Sequence, residues 1–90
     1  MEEKIVSILA IDDNPDNLVV LKGLLSEAFP WATLHTESSG KKGIEMCSSL
    51  KPDVVLLDIA MPGMDGFEVC TILKSDPQLS HIPVVMVTAI

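Results

Sequence analysis

Four consecutive aliphatic residues, Val54-Val55-Leu56-Leu57, stand between Pro52-Asp53 and Asp58, and Met61-Pro62-Gly63 closes the segment. The run is too short for a stable helix. It shows no alternation that would give water a polar face, so it reads as a strand buried on both sides. Such strands belong to parallel sheets wrapped in helices, and a parallel sheet needs crossover segments between its strands. This strand is expected near the centre of its sheet, and the rest of the chain must supply neighbours and crossovers.

It does so in order. Ile5 to Ile11 is almost continuously apolar, interrupted only by Ser7 and Ala10, and reads as a second doubly buried strand. Asn14-Pro15 then starts a helix, because Asn caps free backbone N–H groups and Pro fits the first turn, where its missing N–H costs nothing. Leu18, Leu21, Leu25 and Phe29 recur at helical spacing, Val20 and Leu24 widen that stripe, and Pro30 ends it. Ala32 to Glu37, with Thr33 and Thr36, predicts a less buried strand. Ser39-Gly40 opens a helix with Ile44, Cys47 and Leu50 on one face and Lys41, Lys42, Glu45 and Ser48 toward water; Pro52 closes it. A third helix is expected over Gly66 to Ser75, with Phe67, Cys70 and Leu73 on one side and Asp76-Pro77 as the stop. A last strand runs from Val84 to Thr88 after Pro83. This alternation predicts an α/β fold, an open parallel sheet with right-handed crossovers and helices on both faces. The 90 residues make one domain, 1–90, with no room for a second.

Composition narrows the function. Hydrophobic residues make up 48% of the chain and aromatics 3%, so the core is built from Val, Ile, Leu and Met. A net charge of -7, with six basic residues that are all lysine, argues against a surface that grips nucleic-acid phosphates. Cys47 and Cys70 lie far apart with no C-x-x-C pair, so neither zinc nor redox chemistry is signalled and both are expected as small core residues. Met1-Glu2-Glu3-Lys4 does not resemble a secretory leader, and no apolar run approaches the roughly 18 residues of a membrane span. The expected location is the cytoplasm, without membrane contact.

Ligands of such sheets bind beyond the carboxyl ends of the strands. There the first strand ends on Asp12-Asp13, the third on Asp58 and the fourth on Thr88-Ala89. Carboxylates brought together repel one another unless a cation neutralises them or one takes a proton, and magnesium, a hard ion that prefers oxygen, is the expected remedy. Held between Asp13 and Asp58, it would orient a phosphoryl group as an Asp58 oxygen attacks phosphorus. The Thr88 hydroxyl and the Ala89 backbone N–H would donate to phosphoryl oxygens. Taken singly, each residue also has an ordinary role, an Asp at a cap or turn or a Thr in a strand. Their convergence on one sheet edge is what points to chemistry.

Two other metal readings fail on the letters. Asp12, Asn14 and Asp16 imitate the opening of a calcium-binding helix–loop–helix, but Asn17 occupies its glycine position and Gly23 its closing glutamate position. A haloacid-dehalogenase-like phosphatase also uses an aspartate nucleophile and magnesium, yet its D-x-D signature is absent from the first strand. A true phosphatase is further disfavoured by the lack of a recognisable general acid beyond the acidic cluster.

Four segments, Ile11-Asp12-Asp13-Asn14, Pro52 to Ile59, Met61-Pro62-Gly63-Met64-Asp65-Gly66 and Ile82 to Ala89, together resemble the receiver domain of two-component response regulators. The resemblance implies a flavodoxin-like receiver fold and a phosphoacceptor role in a phosphorelay. It implies that Asp58 is phosphorylated from a phosphohistidine on a sensor histidine kinase or phosphotransfer protein, and that an output domain or downstream protein reads the signal. Asp12 and Asp13 would help to hold Mg2+ with the Ala60 carbonyl as a further ligand, and Thr88 would be the switch hydroxyl. His35 and His81 do not match a donor histidine. Such a chain is a signalling domain that assists its own phosphorylation and dephosphorylation, not an enzyme.

The family pattern continues beyond Ile90 with a helix, a fifth strand and a final helix, which carry a phosphoryl-binding lysine and a switch aromatic. Lys41, Lys42, Lys51 and Lys74 do not stand in the lysine's position. Phosphotransfer is therefore expected to be impaired in this chain, and the alternative is an interaction module of the pseudo-receiver kind that is not phosphorylated. The fourth strand is expected at an open sheet edge, through which the chain would self-associate.

Overall fold

In the sheet the strand Val54–Asp58 lies beside Val6–Ile11 and not beside Ala32–Glu37, the strand that precedes it in the chain, and that reversal places the functional edge. The computed structural model describes residues 6–61 and 63–87. Their elements are β1 (Val6–Ile11), α1 (Pro15–Ala28), β2 (Ala32–Glu37), α2 (Gly40–Leu50), β3 (Val54–Asp58), α3 (Gly66–Ser75) and β4 (Val84–Val87). All pairings are parallel, with Ile8–Ile11 beside Val54–Leu57 and Val55–Asp58 beside Val84–Val87. β1 and β3 are the inner strands, and for β3 this is the central place that its unbroken aliphatic run predicts. β4 ends the sheet among the described residues, with Val85 half exposed.

The helix starts are set by local chemistry. The Asn14 side chain caps α1 by accepting from the Asp16 N–H at 2.9 Å, and Pro15 takes the first helical position. The Ser39 hydroxyl caps α2 by accepting from the Lys42 N–H, and the Asp65 carboxylate caps α3 by accepting from the Glu68 N–H. Lys51 ends α2 in the left-handed region, φ 47°.

The core lies on one face of the sheet. Leu9, Ile11, Val55 and Leu57 point there and meet Cys47 of α2, Val69 and Leu73 of α3, and Leu79 and Ile82 of the connection to β4. That connection is pinned by Lys74, whose Nζ donates to the carbonyls of Ser80 (3.1 Å) and Ile82 (2.7 Å). The other face carries α1 and keeps an apolar groove of about 370 Å³ lined in part by Val6, Ile8, Leu25, Trp31, Val54 and Leu56. Helices thus cover both faces, unequally.

Several helix faces differ from the sequence expectation. Val20 and Leu24 do not widen the buried stripe of α1, since both are exposed and Leu18 alone in the helix is buried. Phe29 lies beyond the helix and packs edge-on against Trp31, with ring centroids 5.6 Å apart. In α3 Leu73 turns inward as expected, but its inward companion is Val69 while Phe67 is exposed, because Gly66 is pulled against β3 and sets the rotation of the helix. Cys47 is buried, and burial pushes its thiol up to about 11, whereas Cys70 is only half-buried beside the core. No helix among the described residues is long and apolar enough to cross a membrane.

Candidate functional site

β1 and β3 are neighbours whose following connections leave on opposite faces of the sheet, α1 on one and α3 on the other. In an open parallel sheet this switch point leaves a crevice at the carboxyl ends of the strands. Asp12 and Asp13 follow β1 there, and Asp58 is the last residue of β3. One carboxylate oxygen from each of Asp12, Asp13 and Asp58 lies within 4.8 Å of the others.

Each acid is placed by its own backbone. The Asp12 N–H donates to the Glu37 carbonyl at 3.1 Å, which carries the ladder between β1 and β2 one residue past the strand. Its Oδ1 accepts the Asn14 N–H at 2.9 Å and its Oδ2 accepts Nδ2 of Asn17 at 3.2 Å. Asp13 is exposed. Asp58 pairs with Val87 of β4, the Ile59 N–H donates to the Val87 carbonyl at 3.3 Å, and the Ala60 N–H donates to Asp58 Oδ1 at 3.4 Å. At the far end of the strand the Ser7 N–H donates to the Asp53 carboxylate and the Asp53 N–H to the Ser7 carbonyl, each at 2.8 Å, so β3 is anchored to β1 at its start.

Gly66 completes the wall of the crevice. Its N–H donates to the Ile59 carbonyl at 2.9 Å, and a Cβ on Gly66 would overlap the Asp58 carbonyl oxygen and stand 2.9 Å from the Ile59 Cα. Only glycine lets α3 approach this closely. Gly63, in the same turn, has φ 82°, the left-handed region that favours glycine. A cleft of about 490 Å³ opens beside Asp13, between Ser38-Ser39-Gly40-Lys41 and Met61, Gly63 and Met64.

The electrostatics are one-sided. Asp12 and Asp58 are buried, with 7% and 5% of their surface exposed, and no lysine joins them in an ion pair among the described residues. Burial raises the pKa of Asp58 first, and the close approach of the Asp12 and Asp13 carboxylates raises it further; the Ala60 N–H opposes them. Three hard oxygen donors carrying excess negative charge fit a hard divalent cation such as Mg2+.

The structure therefore brings together Asp12, Asp13 and Asp58 as expected, with Ala60 beside Asp58 through its N–H. Thr88 and Ala89 lie outside the described residues. Asn17 and Gly66 are additional participants. The sequence showed Gly66 as part of a turn motif and Asn17 only as a mismatch to a calcium loop, and neither signal discloses a contact made through the fold.

Comparison with known proteins agrees with this geometry. The family model of the response regulator receiver domain matches residues 8–90. The response regulator PleD of Caulobacter vibrioides is 42% identical over 83 residues, which cover 92% of this chain and 18% of PleD. Protein PilH of Pseudomonas aeruginosa is 41% identical over 90% of this chain and 65% of its own length. The chain thus spans less than two thirds of either relative. Among solved structures, the N-terminal domain of a response regulator receiver protein from Methanoculleus marisnigri superposes with TM-score 0.88 at 37% identity, covering 97% of this chain and 69% of that one. The receiver domain of a signal transduction histidine kinase from Syntrophus aciditrophicus gives 0.85 at 32% identity, over 94% of this chain and 63% of that one. Since the family match runs through all three acidic positions at the switch point of the sheet, the chain belongs to the response regulator receiver domain family.

Proposed function

We propose that Asp58 is the phosphoryl acceptor of this receiver. The observation that carries the reading is the meeting of the Asp12, Asp13 and Asp58 carboxylates within 4.8 Å at the switch point of the sheet. Receiver domains are signalling domains rather than classical enzymes, and the chain has that role by family. Asp12, Asp13 and Asp58, with the Ala60 carbonyl, would hold Mg2+. When bound, the ion supplies neutralising charge and a template for the phosphoryl oxygens.

The chain's own contribution is placement. Asp58 Oδ2 attacks phosphorus while the bond from phosphorus to the histidine nitrogen breaks, and the electron pair of that bond leaves with the imidazole. The Ala60 N–H restrains Oδ1, and the close approach of Gly66 holds the Asp58 backbone. Thr88 and Ala89 are assigned the remaining phosphoryl contacts, a hydroxyl and a backbone N–H, on the strength of Val87, the residue before Thr88, pairing with Asp58. The donor is a sensor histidine kinase or phosphotransfer protein in the cytoplasm, and an output domain or downstream protein reads the result.

Incubation with acetyl phosphate and Mg2+ tests the assignment. The wild-type chain should gain an acid-stable, base-labile phosphoryl group that Asp58→Asn lacks, read by intact mass; equal labelling of both proteins would sink the assignment.

A further inference from the structure

We infer that Asn17 is a positioning residue of the acidic pocket, holding the Asp12 carboxylate in the orientation from which it, with Asp13 and Asp58, receives a divalent cation. The inference rests on the metal-binding reading of that pocket. Asp12 is almost fully buried, and each of its oxygens meets one donor, the Asn14 N–H at Oδ1 and the Asn17 amide at Oδ2. The first donor belongs to the loop that leaves β1. The second comes from the first turn of α1, a rigid element whose cap is already made by Asn14. With both oxygens held, the carboxylate loses its rotation, and the lone pairs that remain stay available on the side of Asp13 and Asp58.

The chemistry of the side chain fits this task. Asn is a poor helix former, and its amide is not needed for capping here, so local helix energetics do not account for it. A lysine or arginine at this position would neutralise the cluster and compete with a cation. An aspartate would add a fourth repelling carboxylate and remove the donor. A neutral amide alone orients Asp12 without taking the place of the ion. Partners of this kind behind a ligand typically change metal affinity by about 10–100-fold when removed.

The experiment compares the wild type, Asn17→Leu, Asp12→Asn and the double variant. Leu keeps the shape branched at Cγ, lacks the donor and favours the helix, so the fold is retained; Asn17→Ala, which cannot crowd the site, serves as a second probe. In the metal-free wild type and N17L, the side-chain carboxyl carbon of Asp12 is followed by NMR, and Mg2+ affinity is then measured for all four proteins from backbone amide shifts. N17L should displace the Asp12 carboxyl signal before metal is added and weaken Mg2+ binding about tenfold, while adding no further loss in the D12N background. Unchanged Mg2+ affinity in N17L, or the same tenfold loss without the Asp12 carboxylate, would overturn the role. A wild type that binds no Mg2+ removes the metal reading of the pocket and this role with it, an outcome distinct from a wild type that binds and an N17L that binds equally.

Discussion

The floor of the sheet and its carboxyl rim are built from the same two strands and behave in opposite ways. Leu9, Ile11, Val55 and Leu57 have at most 1% of their surface exposed and meet apolar side chains of α2 and α3. Asp12 and Asp58, each one residue further along, are nearly as buried but carry charge and face one another. Burial stabilises the floor by roughly 1.5–3 kcal/mol for each full-sized aliphatic side chain, whereas at the rim burial opposes the charged form. The difference shows why the acids follow the most aliphatic runs. A pocket of mutually repelling carboxylates stays assembled only when the backbone beneath it cannot relax.

The sharpest way to break this comparison is to remove part of the floor. Leu57→Ala should cost about 3–5 kcal/mol, because the side chain is fully buried next to Asp58 and its cavity cannot easily collapse. Against a total stability of about 5–15 kcal/mol this leaves the fold marginal. Leu25→Ala, on the open groove of the α1 face, should cost less than half as much. Urea denaturation measures both, and equal losses would mean that the two faces contribute alike.

Next come the glycines, where the same added methyl group should act with opposite sign. Gly66→Ala should destabilise by about 1–3 kcal/mol and lower Mg2+ affinity, since the new Cβ drives α3 away from the Asp58 carbonyl. Gly23→Ala, in α1 with open space around it, should stabilise by about 1 kcal/mol through helix propensity alone. A neutral Gly66→Ala would show that the rim tolerates movement.

These glycines also mark the limit of what the sequence discloses. The strands were legible because aliphatic runs with Pro and Asp at their borders admit few other structures, and the caps Asn14, Ser39 and Asp65 are each local. The acidic triad was legible once parallel order was assumed, because it needs only the ends of strands. Helix rotation was not. Phe67 carries more apolar surface than Val69, yet Val69 turns inward because Gly66 must touch β3, a constraint between residues eight apart in the chain. Val20 and Leu24 fit a helical stripe by spacing but lie outside the arc that reaches the sheet. Asn17 was hidden for the same reason, since its partner is chosen by where α1 leaves β1.

The smallest expected effect tests the rim itself. Asp58→Asn should slightly stabilise the metal-free protein, because it removes a buried charge that faces two other carboxylates. The sign follows from linkage. The pKa of Asp58 is raised by burial and by its acidic neighbours, so the folded chain holds this proton more tightly than the unfolded chain does. From the unfolded value near 3.9 upward, the wild type therefore loses stability as pH rises, until the raised folded value is passed and the penalty is complete. D58N lacks this contribution, so the two proteins should be closest in stability in acid and separate toward neutral pH. Mg2+ should reverse the order at neutral pH, since it stabilises the protein that keeps the ligand. Thermal midpoints of both proteins across pH, with and without Mg2+, measure the crossing. If D58N were less stable than the metal-free wild type at neutral pH, the rim would be contributing to stability as the floor does, and the contrast between them would fail.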